Sequence, residues 1–221
     1  LAPEKRDIAM VFQSYAIWPH MTLEQNISYP LEVRKTDPSE IDDRVNEVIR
    51  LVGLNDMVGK DATQLSGGQQ QRAALARAIV CRPSLLLFDE PLSNLDLKLR
   101  QRMRVELKRI QHEVGITSVY VTHDQAEALV MSDEIIVMSK GRIEQTGGPH
   151  DIYAHPVSRY VSNFIGVANL IEGRIVREAG AGRGEIEVAG EGERILLPCL
   201  LGEGLSEGDE AVLSVRPENV H

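Results

Sequence analysis

Apolar positions follow one rhythm up to about residue 165 and another beyond it. In the first stretch, short and mostly apolar runs occur at Ile8 to Phe12, Leu85 to Phe88, Ser118 to Thr122 and Glu134 to Met138. Runs of this length between polar segments read as buried strands. Between them the pattern turns helical. Ile41, Val45, Val48, Ile49 and Val52 share one face of a predicted helix. Ser66 to Cys81 predicts a second, with Ala73, Leu75, Ala76, Ala78 and Ile79 inside. Leu95 to Val114 predicts a long charged third, with Leu95, Leu99, Met103, Leu107 and Ile110 near helical spacing. Arg142 to Gln145 reads as an outer strand. Apolar strands alternating with helices predict an α/β domain built on a largely parallel sheet.

The second rhythm is short alternation between glycines. Leu170 to Val176, Gly184 to Val188, Arg194 to Leu197 and Ala211 to Val215 read as strands, which predicts a small all-β domain, barrel or sandwich. Composition shifts at the same point. All nine aromatic residues lie at or before Phe164. From Gly166 onward there are eleven acids against five bases, and ten of the eighteen glycines. The expected domains are 1–164 and 165–221.

The whole chain has 221 residues and a net charge of −9, which argues against general nucleic-acid binding. No apolar run reaches the roughly eighteen residues of a membrane span. Cys81 and Cys199 lie far apart without metal-ligand spacing, the pattern of reduced cytosolic thiols.

The chemistry concentrates between residues 65 and 90. Leu65-Ser66-Gly67-Gly68-Gln69 opens the second helix. Ser66 is a natural N-cap, and the glycines allow close backbone approach, so free N–H groups beside a hydroxyl make an anion site suited to phosphate. The same residues would also serve as a plain helix cap. Leu85 to Phe88 then delivers Asp89 and Glu90 to a strand end, where one carboxylate can hold Mg²⁺ and the other can position a water.

These segments, with others in the same order, resemble the ATP-binding subunit of a bacterial ABC importer. Val11-Phe12-Gln13-Ser14-Tyr15 resembles the family's Q-loop, and Ser66-Gly67-Gly68-Gln69 its signature motif. Leu85 to Asp89, followed by Glu90, resembles Walker B. Ser93-Asn94-Leu95-Asp96 resembles the D-loop, and Val121-Thr122-His123-Asp124 the histidine switch. Together they cover roughly residues 5 to 165. The resemblance implies a P-loop-NTPase-like ABC ATPase domain with a helical subdomain at about 22–82, followed by an OB-like accessory β-domain.

The implied cofactors are ATP and Mg²⁺. By resemblance, Gln13 senses the γ-phosphate and ligates the metal. Asp89 binds Mg²⁺, Glu90 is the general base, and His123 bridges the γ-phosphate to that carboxylate. Ser66, Gly67, Gly68 and Gln69 bind the nucleotide held on the opposite subunit. Asp96 organises the dimer seam or caps the helix beginning beside it. Trp18 reads equally as an exposed anchor and as core.

The implied partners are transmembrane permease subunits, a second ATPase subunit identical or paralogous to this one, and indirectly a solute-binding protein. The implied location is the cytoplasmic face of the inner membrane. Ser14 to Thr22 and Val215-Arg216-Pro217-Glu218 resemble the branch serving sugars, polyamines and ferric iron. The Asn169-Leu170-Ile171-Glu172-Gly173 wording leans towards polyamine, iron and phosphonate importers.

One part of the family pattern is absent. No G-x-x-x-x-G-K-[ST] phosphate loop occurs. The resemblance therefore implies a chain truncated before the Q-loop and inactive by itself, with an accessory domain that would continue past His221; a paralogue lacking the loop is the alternative. The competing function classes are a non-transport ABC-type ATPase and a catalytically inactive fragment. The first is opposed by the spacing, since only about fifty residues separate Gln13 from Ser66 and leave no room for a long coiled coil.

Overall fold

The computed structural model describes residues 2, 5–190, 193–202 and 204–219. The chain divides into two compact units, Leu1–Glu127 and Ala128–His221.

The first unit is organised by strands β1 (Ile8–Val11), β2 (Leu85–Asp89) and β3 (Thr117–Val121). They form a parallel sheet in that order, with Val11 opposite Phe88 and Asp89 opposite Val121. The parallel register brings the C-terminal ends of all three strands to one edge. Leu86, Phe88 and Val11 are buried on one face.

Three helices lie between β1 and β2. Helix α1 (Leu23–Val33) starts at Thr22, whose hydroxyl accepts from the Gln25 N–H while the Gln25 side chain accepts from the Thr22 N–H. This reciprocal box satisfies two otherwise orphaned donors. Its buried side is Leu23, Ile27 and Leu31. Helix α2 (Pro38–Leu51) is capped by Asp37 and opens on proline, and helix α3 (Gly67–Ile79) is capped by Ser66. Helix α4 (Leu97–Val114) runs from β2 towards β3, starts on Asp96 and ends on Gly115 at φ 67°, the left-handed conformation that glycine adopts without penalty. Gly68 packs so closely on α4 that an added Cβ would lie 3.2 Å from Leu99 Cδ1. Short helix α5 (Gln125–Met131) follows β3.

In the second unit, β4 (Ile135–Ser139) and β5 (Arg142–Gly147) form an antiparallel pair. Helices α6 (Pro149–Ala154) and α7 (Arg159–Phe164) follow, and Ile135, Val137, Ile152, Val161 and Ile165 make one core cluster. Strands β6 (Asn169–Gly180), β7 (Arg183–Ala189), β8 (Arg194–Leu200) and β9 (Glu210–Val215) form an antiparallel sheet in the order β8-β7-β6-β9.

The C-terminal stretch is all-β, as expected of an accessory β-domain, with β6 paired to both β7 and β9. The compact division falls at 127/128, ahead of the composition change near 165. Within the second unit, buried Arg216 donates to the carbonyls of Ser162, Ile165, Val167 and Tyr153, binding the 153–167 segment to the end of β9.

Candidate active site

The C-terminal edge of the parallel sheet gathers Gln13, Asp89, Glu90 and His123, four of the nine predicted site residues. β2 ends in Asp89, and Glu90 follows in the left-handed region at φ 45°. Its N–H donates to Val121 O on the neighbouring strand at 2.9 Å. β3 ends at Val121, and His123 follows two residues later. The turns after β2 and β3 therefore meet, and His123 Nδ1 lies 3.0 Å from Glu90 Oε1. Glu90 is half-buried and its partner imidazole is largely exposed. The hydrogen bond to Glu90, followed by that carboxylate's charge, raises the His123 pKa above its ordinary value.

Gln13 follows β1 at the same edge. Its backbone carbonyl accepts from Asn94 Nδ2 at 2.9 Å, which ties the turn after β1 to the turn after β2. The Asp89 carboxylate makes no hydrogen bond or ion pair among the described residues. Asp89 and the Gln13 amide are hard oxygen donors at one sheet edge, a set that suits Mg²⁺, which takes one or two protein oxygens and fills its shell with water and phosphate. Among the described residues no cluster of three or more His, Cys, Asp or Glu side chains forms a closed metal cage.

The turn carrying His123 is heavily braced. The Thr122 hydroxyl accepts from the Asp124 N–H and donates to Glu127 Oε2, which also accepts from the Tyr120 hydroxyl. Glu127 is buried at 2% exposure. Burial, then the Glu127 charge, pushes the Tyr120 pKa up. Asp124 Oδ1 accepts from the N–H groups of Ala126 and Glu127. Arg100 on α4 pairs with Asp124 at 3.3 Å and donates to the carbonyls of Ser93 and Leu95.

Ser66 to Gln69 stand apart. Gln69 Oε1 accepts from the Ser66 N–H at 2.8 Å, so its side chain serves the cap of α3. No hydrogen bond or ion pair among the described residues joins this helix start to the Glu90 cluster. Asp96 caps α4 by accepting from the Leu99 N–H at 3.0 Å, one of its two readings. Trp18 is half-buried, with its ring against Tyr29 at 4.7 Å between centroids and the Arg77 guanidinium 4.5 Å above it. It borders a groove of about 360 Å³ whose lining includes Phe12, Pro30, Arg34, Arg77 and Cys81.

Sequence reasoning missed Arg100 and Glu127. Spacing was the available signal for Glu127, four residues beyond His123 at the start of a helix. Nothing in the local pattern marks Arg100, whose partners are carbonyls and a carboxylate from another turn.

Residues 1–93 match the ABC transporter family. The spermidine/putrescine import ATP-binding protein PotA of Thermobifida fusca is 59% identical over 175 residues, 79% of this chain and 46% of that protein. The trehalose/maltose import ATP-binding protein MalK of Thermococcus litoralis is 46% identical over 99% of this chain and 59% of that protein. The chain belongs to the ABC transporter family. Its fold agrees with cbiO1 of Clostridium perfringens, part of the ABC transporter complex cbiONQ, at a TM-score of 0.63 and 30% identity over 67% of this chain and 60% of that one. This ABC transporter chain spans about half the length of the curated relatives it matches. Among its described residues no helix is long and apolar enough to cross a membrane.

Proposed function

We propose that, in the complete protein, this chain belongs to an ATP-hydrolysing subunit that energises solute import through a separate transmembrane permease. The observation that carries the reading is the Glu90–His123 pair at the C-terminal edge of a parallel sheet, with Asp89 beside it. Glu90 is the general base that takes a proton from the attacking water. His123 holds that carboxylate and reaches towards the transferred phosphoryl group. Asp89 and Gln13 hold Mg²⁺, which supplies charge neutralisation on the phosphates when bound. Ser66, Gly67, Gly68 and Gln69 face the nucleotide of a second ATPase subunit, identical or paralogous, and Asp96 lies on the seam between the two. Their separation from the Glu90 cluster within one chain supports completion of the site in trans. The functional division is an ATPase region to residue 164 and an accessory β-region from 165.

The groove beside Trp18 receives the permease, and the subunit works peripherally on the cytoplasmic face of the inner membrane. Relatives named for spermidine/putrescine and for trehalose/maltose both match at 46% identity or better. That follows if the solute is chosen by a solute-binding protein and the permease, not by this chain.

The test is ATP turnover by the complete protein. Glu90→Gln keeps shape and removes the base, so turnover falls by about 10²–10⁴-fold while ATP binding persists. Near wild-type turnover in this variant would overturn the assignment.

A further inference from the structure

The Glu90–His123 pair joins two turns that carry no regular hydrogen-bond ladder between them beyond the Glu90 N–H to Val121 O bond. Something else must fix their spacing, and one side chain touches both. The turn after Glu90 closes on itself, with the Ser93 N–H and hydroxyl both bonded to Glu90 O. Arg100 reaches that turn from α4, where its Nη2 donates to Ser93 O at 3.3 Å and Leu95 O at 3.2 Å. Its Nη1 reaches the other turn, at 3.3 Å from Asp124 Oδ2, one residue beyond His123. Asp124 is held in place by the α5 amides on its other oxygen and by a longer contact to Arg104 at 3.6 Å.

We propose that Arg100 is a positioning residue that sets the spacing of Glu90 and His123 by holding the turn that follows each of them. The inference rests on the hydrolytic reading of that pair. A surface ion pair with two exposed partners contributes little. Here both partners are about three-quarters buried, and the bond network matters more than the charge. A planar guanidinium presents donors in a fixed fork and spans two acceptors in different directions, which a lysine ammonium on a flexible stem does not do. The Nε of Arg100 and of Arg104 is buried without an acceptor among the described residues, so neither guanidinium is bound at every donor. The bonds that Arg100 does make are those to the two turns.

The test measures kcat and KM for ATP in the complete protein. Arg100→Gln shifts the pair out of register and lowers kcat by about 10- to 100-fold, the scale of small misplacements of reacting groups, with KM little changed. Arg100→Lys restores charge without the fork and recovers little of the loss. Asp124→Asn keeps the side-chain volume, removes the ion pair and gives a similar kcat loss, which covers the case in which Arg100→Gln fails to fold. In a His123→Ala background, Arg100→Gln adds less than about a twofold further loss, because residues acting through one pair are not additive. A kcat unchanged in Arg100→Gln, full recovery by Arg100→Lys, or a loss that multiplies with His123→Ala would overturn the proposal. Wild-type turnover that does not depend on Glu90 would overturn the functional reading as well. Turnover that depends on Glu90 but not on Arg100 would overturn this inference alone.

Discussion

Glu90 is a non-glycine residue held at φ 45°, a conformation that costs on the order of 1–3 kcal/mol and persists only where its surroundings fix it. The bond from its N–H to Val121 O and the turn closed on its carbonyl provide that fixing, and they aim its carboxylate at His123. The pairing favours the imidazolium. Since the folded pKa of His123 is raised above its ordinary 6.5, the stabilisation is complete below about 6.5 and fades as pH rises through the raised value. A histidine titration followed by NMR should therefore place His123 above 6.5, and Glu90→Gln should return it towards the ordinary value. Equal titration in the two proteins would mean that the pair does not form in solution. Glu90 was read from sequence as a carboxylate at the end of an apolar strand, and His123 through the resemblance of Val121-Thr122-His123-Asp124 to the histidine switch. Only the resemblance linked the two; the local pattern does not show the contact, since it depends on two turns whose geometry is set by residues elsewhere.

Among the elements, those with a clean period were readable and those without were not. The expected helix at 66–81 is α3 at Gly67–Ile79, and the expected run at 118–122 is β3 at Thr117–Val121. Helix α1 was hidden within the helical subdomain because Pro30 and the polar Asn26 and Ser28 interrupt its apolar face. The structure explains Asn26. It is fully buried, its amide oxygen accepts from the Trp18 N–H, and its amide nitrogen donates to the carbonyls of Trp18 and Thr22 at 3.1 and 3.0 Å. It replaces a missing secondary-structure partner for the 18–22 loop. Asn26→Ala should lower unfolding stability of the first unit by about 1–3 kcal/mol in urea titration, the cost of orphaning buried polar groups. Asn26→Asp should be worse, because it buries a charge without donors to give; an Asp variant more stable than the Ala variant would contradict this account. In the second unit Arg216 plays the corresponding part, 5% exposed, bonded to backbone carbonyls and stacked 4.3 Å from the Tyr153 ring. Arg216→Lys should speed amide exchange across residues 158–167 far more than in β7. Uniform acceleration throughout the unit would show instead that the whole β-sheet depends on this residue.

At the scale of the molecule, an apolar sheet face stands bare in each unit. Across the parallel sheet Met10, Leu87 and Val119 are directly in register, and Val121 lies two positions beyond Val119 on the same face. Met10, Val119 and Val121 are 36%, 49% and 53% exposed, as Phe12 is at 44% just beyond β1. On β4 and β5, Ile136, Met138 and Ile143 are all more than half exposed, with Met138 paired to Ile143. Parallel sheets are ordinarily covered on both faces, and a contiguous apolar patch of this kind drives association. Fully burying one such side chain is worth roughly 1.5–3 kcal/mol against a domain stability of about 5–15 kcal/mol, so several left in water are a large fraction of the whole. The 221-residue chain expressed alone should therefore bind a hydrophobic dye, self-associate and melt over a broad range. Carrying Met10→Lys together with Val119→Glu should lower dye binding and raise the soluble fraction, because it places charge on the exposed face without touching buried Val11, Leu86 or Phe88. A monomeric wild-type chain with a sharp reversible melt and no dye binding would show that the buried side of the sheet suffices to hold the unit, and that the bare face costs far less than its exposed area implies.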